Sequence, residues 1–150
     1  EGLADTADGQ LLIGFRNPLR EGRALLVPLL NPDELLRGEA ARFGAPIAVD
    51  LGGRGVRSIE RVADGYLIVA GPVADAGDFV LFRWSGRAVD APQRLPGAEL
   101  KDLRPEALFA WPGSGEWQLL SDDGGIETEG VACKDRPPGR QAFRSLDVAR

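Results

Sequence analysis

Short apolar runs of four to eight residues recur along the chain, separated by turns rich in glycine, proline and aspartate. Within 47–51 and 141–148 the positions alternate with the period of two that marks half-buried β-strands, and the other runs are short apolar segments bounded by turn residues. The pattern predicts strands over 11–15, 24–30 and 47–51, then over 56–62, 66–70 and 79–84, with a short outer strand at Arg94-Leu95-Pro96. It goes on with strands over 107–111 and 117–121, and 126–134 and 142–148 supply the last two. Asp64-Gly65 predicts a tight hairpin, because both residues tolerate the positive φ of a type I′ turn. One stretch departs from the strand period. Asn31 is placed as a helix N-cap, Pro32 suits the first helical position, Glu34 sits three residues after the cap and Gly38 is a stop, so a short helix is expected near 32–37.

The runs are organised in repeats. Glu1-Gly2-Leu3, Glu60-Arg61-Val62 and Glu106-Ala107-Leu108 each open an apolar run, followed by a turn (Asp8-Gly9, Asp64-Gly65, Gly113-Ser114-Gly115) and a second run. Steps of 59 and 46 residues between the glutamates suit units of four antiparallel strands. The expected fold is therefore all-β and of β-propeller type, with about three blades over 1–52, 56–100 and 101–150 forming a single domain. Closed propellers use four to eight blades. Three cannot close a ring, so the expected partners are remaining blades of a longer parent chain or a second copy in a homodimer.

Composition narrows this picture. With a net charge of −5 and no basic cluster, nucleic acid is disfavoured as a partner. No run of 18 apolar residues is present, so no membrane-spanning helix is expected, and there is no signal-peptide pattern in the sequence. The single cysteine, Cys133, rules out an internal disulfide but leaves a soluble bacterial protein free to be cytoplasmic or exported. The absence of histidine removes His-based triads and zinc–histidine sites. There is no methionine, the initiator included, which fits a piece of a longer protein.

Several segments carry a resemblance: Glu1-Gly2-Leu3-Ala4, Leu12-Ile13-Gly14-Phe15-Arg16-Asn17-Pro18-Leu19, Arg57-Ser58-Ile59-Glu60, Arg104-Pro105-Glu106-Ala107-Leu108 and Ser121-Asp122-Asp123-Gly124. Together they resemble a bacterial family known only as a domain of unknown function. More distantly they resemble the propeller-like proteins described as having esterase-like activity of phytase. The resemblance runs over nearly the whole chain and corresponds to the C-terminal half of a family member. It implies a propeller-like fold and brings no established reaction with it.

Three constellations are candidates for chemistry. If Glu1, Glu60 and Glu106 occupy equivalent positions on inner strands, they converge near an axis, where carboxylates bind Ca²⁺ or Mg²⁺ or, when crowded, supply a general acid. The bland alternative ties each glutamate to a neighbouring arginine or to backbone N–H groups as a repeated structural device, Arg57 and Arg104 being close in sequence. Arg16, at a strand exit, is placed to grip an anion or to pair with Glu1 or Glu60. Asp122 and Asp123 resemble half of a calcium loop, yet an Asx-type turn accounts for them equally well. Cys133 has no histidine to activate it. The serines lack a nucleophile elbow. Trp84, Trp111 and Trp117 fit strand packing. The leading reading is a binding or scaffold module with an acidic channel-facing site. Its alternative is a metal-assisted esterase- or phosphatase-like hydrolase, with the three glutamates on the metal and Arg16 on the substrate anion.

Overall fold

A computed structural model of the chain describes residues 1–74, 76–96, 100 and 102–149, and the chain is all-β. The first sheet is a four-stranded antiparallel meander in the order β1 (Gly2–Asp5), β2 (Leu11–Gly14), β3 (Ala24–Leu29) and β4 (Ile47–Val49). The second repeats it with β5 (Gly55–Val62), β6 (Gly65–Gly71), β7 (Val80–Trp84) and β8 (Gln93–Arg94). The third has three strands among the described residues, β9 (Pro105–Ala110), β10 (Glu116–Ser121) and β13 (Ser145–Ala149), with β10 in the middle. The first strand of each sheet, β1, β5 and β9, is an edge strand, and β5 lies between the other two. No closed barrel forms among the described residues, and no described helix is long and apolar enough to cross a membrane.

Alternation builds the packing. Ala4, Leu12 and Leu26 are buried on one face of the first sheet and meet Val56, Ile59 and Ile68 of the second. Leu67, Val69 and Leu81 leave the opposite face of the second sheet and meet Leu108, Trp117 and Leu119 of the third. The second sheet is thus covered on both faces, which is why β6 reads as a nearly continuous apolar run rather than an alternating one. The other two sheets each keep one face open. On the first, Leu3, Ile13 and Val27 are cross-strand neighbours, and Leu3 is 60% exposed. On the third, Phe109 and Trp111 stack edge to face, and Trp111 is 48% exposed.

Several local expectations change. The helix is present as α1 (Pro32–Leu36), but Asn31 makes no side-chain cap. Its buried amide instead donates to the Ala40 carbonyl at 3.0 Å and accepts from the Arg42 N–H at 2.7 Å, because pinning the returning loop satisfies both ends of the amide where a cap uses only one. The β5–β6 hairpin is present, with Ala63 and Asp64 as its loop and Val62 opposite Gly65. Of these residues Gly65 alone has positive φ, at 136°, so the turn is not type I′. A Cβ on Gly65 would strike the Trp84 carbonyl. The strand expected over 126–134 is a separate small hairpin of β11 (Glu127–Thr128) and β12 (Val131–Ala132), followed by 3-10 turns at Cys133–Asp135 and Pro138–Arg140. Gly130, at φ 74°, makes its turn, and the third sheet does not gain a fourth strand from it. The outer strand of the second sheet falls on Gln93–Arg94, where Pro96, lacking an N–H, cannot extend it.

Candidate functional site

Register shows which positions of the three sheets are equivalent. Val56 opposes Ala70 and Ser58 opposes Val69, so Arg57 is an extra, bulged residue on β5. Ala107 opposes Leu120 and Pro105 opposes Ser121, so Glu106 is the extra residue on β9. A bulge re-aims the side chain it inserts. Two residues further on, Ile59 and Leu108 each bury themselves against the preceding sheet, and Leu3 holds the same place on β1. The equivalent row is therefore Glu1, Arg57 and Glu106. Glu60 lies three positions out of register.

The row assembles into one cluster. Arg57 is 4% exposed, and its guanidinium donates from Nη1 to Glu106 Oε1 at 2.5 Å. The same Nη1 lies 3.8 Å from Glu1 Oε2. Nη2 donates to the Pro72 and Ala74 carbonyls at 2.6 and 3.3 Å, and the group sits over the Phe79 ring, 5.4 Å from its centroid. Arg16 donates from Nε to the Pro72 carbonyl at 3.3 Å and from Nη2 to that of Ala74 at 2.6 Å, and its Nη1 lies 3.8 Å from Glu1 Oε1. Arg57 thus joins all three sheets and the loop after β6. Two arginines face two glutamates here, where an acidic site was expected. The Glu106 carboxyl is held above its ordinary value by burial, which Arg57 partly offsets and Glu1 reinforces.

Glu60 takes no part in this cluster. Its carboxylate accepts the Ala110 N–H at 3.5 Å, and Ser58 Oγ accepts that of Leu108 at 3.1 Å. Both interactions satisfy N–H groups on the open edge of β9. Among the described residues no three carboxylates or cysteines are gathered closely enough for a metal ion, so Glu1, Glu60 and Glu106 do not form the three-carboxylate cage. Arg104 does not pair with Glu106. Its backbone bridges to Ser121 and Asp122, and its exposed side chain extends beside Gly125.

The aspartates divide. Asp122 accepts the Gly124 N–H at 3.0 Å in an Asx-type turn. Asp123 is buried and accepts from Ser121 Oγ, from the Arg144 N–H and from both Nε and Nη2 of Arg144, all within 2.8 Å. The Arg144 fork holds its carboxyl far below the usual carboxylate range. Neither arrangement is a calcium loop. Arg144 had no motif to mark it, since it meets Asp123 only through the fold. Glu106 also lines a cleft of about 460 Å³ with Asp122, Lys134 and Phe143. Cys133 lies in the same wall, donating to the Ala142 carbonyl and accepting the Ala142 N–H, which marks it as a structural thiol.

No curated protein and no solved structure matches this chain. A family model does match, over residues 1–112, which take in the first two sheets and β9 and stop short of β10, the small hairpin and β13. By that match the chain belongs to the family described as protein of unknown function (DUF3616).

Proposed function

We propose that the chain is a non-catalytic binding and scaffold module of β-propeller type. In this reading the three meanders are successive blades, and the end at which β1, β5 and β9 begin is the ligand-facing side. The observation that carries it is the row Glu1, Arg57, Glu106: equivalent positions on adjacent inner strands, joined by one buried guanidinium. Such a row is what side-by-side blades around an axis produce. The open faces at Leu3 and at Trp111 are then blade faces, each fitted for one more sheet from a longer chain or from a second copy.

Light scattering coupled to size exclusion tests the blade reading. The 150-residue chain is expected to associate at about 100 µM, and Leu3→Glu together with Trp111→Glu is expected to return it to a monomer. A wild-type chain that stays monomeric and stable at that concentration counts against open blade faces.

The hydrolase reading draws on Glu106, whose raised carboxyl borders a cleft. It lacks the convergence of carboxylates that metal-activated water requires. Hydrolysis of p-nitrophenyl acetate and p-nitrophenyl phosphate, with and without Ca²⁺ or Mg²⁺, is expected to stay at the buffer rate. Turnover that disappears in a Glu106→Gln variant would establish the enzyme instead.

A further inference from the structure

Four arginines from distant parts of the sequence meet in one cleft of about 830 Å³ between the second and third sheets. Arg54 precedes β5, Arg94 ends β8, Arg104 precedes β9 and Arg144 precedes β13. The antiparallel register of β7 with β8 brings Arg94 to the end where β5, β7, β9 and β13 begin. The volume is that of a small-molecule site.

Two of the arginines are held in place. Arg144 is fixed by Asp123 and by the Asp102 carbonyl, 2.7 Å from its Nη2. Arg54 donates to the carbonyls of Asp78 and Gly52. Arg94 and Arg104 are exposed and form no ion pair with a carboxylate among the described residues. Asp78 and Asp102 are the two described acidic residues of the lining. In a chain of net charge −5, the cations outnumber the anions among the described residues of this lining. The remaining wall is apolar and includes Phe79, Leu103 and Ile126.

We propose that this cleft binds a small molecule carrying an oxyanion on an apolar body, an aryl carboxylate or aryl phosphate, with Arg94 and Arg104 as its anion contacts and Phe79, Leu103 and Ile126 around its ring. Guanidinium groups suit this role because their planar fork matches carboxylate and phosphate oxygens. The apolar wall adds affinity only for a ligand that brings apolar surface to it. The inference is independent of whether the sheets are propeller blades.

Titrations followed by amide NMR test it, with phenyl phosphate, benzoate, inorganic phosphate and phenol as probes. At least one of the two aryl anions is expected to shift Gly77–Val80 and Ile126 saturably, and which of them binds identifies the anion. Inorganic phosphate and phenol are expected to bind more weakly, since each offers half of the recognition. Arg94→Gln and Arg104→Gln are each expected to weaken aryl-anion binding about tenfold. Both side chains are exposed, so the melting temperature is expected to hold, and Arg104→Lys is expected to keep part of the affinity. Absence of saturable shifts with both aryl anions would overturn the proposal. So would shifts elsewhere on the surface, affinities indifferent to both arginines, or inorganic phosphate binding as tightly as the aryl anions.

Discussion

Replacing Arg57 by methionine is expected to destabilise the fold by about 3 kcal/mol at pH 7, measured by urea unfolding. Methionine keeps much of the apolar stem over Phe79 and removes the guanidinium. Three consequences follow: Glu106 loses its 2.5 Å partner, the carbonyls of Pro72 and Ala74 lose a donor, and the tie between the sheets is cut. The Glu106 side chain is 32% exposed, so water recovers part of the loss and holds the figure at the low end for a broken buried pair. The pH dependence has a definite sign. Glu106 already sits above its ordinary 4.5, and Arg57 is the group that pulls it down. Without Arg57 it rises further. A carboxyl held above its unfolded value contributes stability below that value and loses it as pH rises through the folded one. The deficit of the variant is therefore expected to shrink on acidification from pH 7 toward 4.5, and adding Glu106→Gln is expected to recover part of it at pH 7. A deficit that is the same at both pH values, and is untouched by Glu106→Gln, would show that the ion pair is not what Arg57 contributes.

Gly55→Ala is expected to cost a similar amount, about 3 kcal/mol, although it adds a single methyl group. The new Cβ would overlap the Arg16 carbonyl, a backbone atom that no rotamer change can move aside. At this point the loop leaving β2 meets the start of β5, and the Val56 N–H donates to the Phe15 carbonyl at 3.0 Å. Relief of the overlap separates the first sheet from the second and carries Arg16 away from Glu1. Gly53→Ala is the control. Its Cβ meets nothing within 4 Å, and it costs only the left-handed backbone at φ 73°, about 1 kcal/mol. Thermal unfolding followed by circular dichroism compares the two. Equal melting temperatures would mean that the joint at Gly55 yields freely.

The sheets were legible in the sequence because most strands keep one face covered and one open. Ser145, Leu146, Asp147 and Val148 alternate exposed and half-buried, as their polar and apolar residues require. The cluster was half legible. Matching like charges put Glu60 beside Glu1 and Glu106, whereas matching apolar positions aligns Leu3, Ile59 and Leu108 and puts Arg57 in the row. The spacing Arg57-Ser58-Ile59 was in view, but a bulge is a matter of register and leaves no mark on composition. Asn31 misled for a related reason. Its residue type fits a cap, and only the returning loop through Ala40 and Arg42 shows that the amide is used elsewhere. The arginine cleft was invisible, since its members come from four strand ends that only the fold brings together.

The row Glu1, Arg57, Glu106 reads minus, plus, minus, so the charge order ends on an anion at both sides. In the blade reading, a sheet that docks at either open face would set its own inner-strand residue beside one of these anions. Head-to-tail seating of a second copy would bring Glu106 of one chain toward Glu1 of the other, where Arg16 stands 3.8 Å from the Glu1 carboxylate. A foreign sheet with arginine or lysine at that position would continue the alternation. In the blade reading, the order of signs bears on what can sit beside each end of the row, and it does so together with Arg16, which lies 3.8 Å from Glu1.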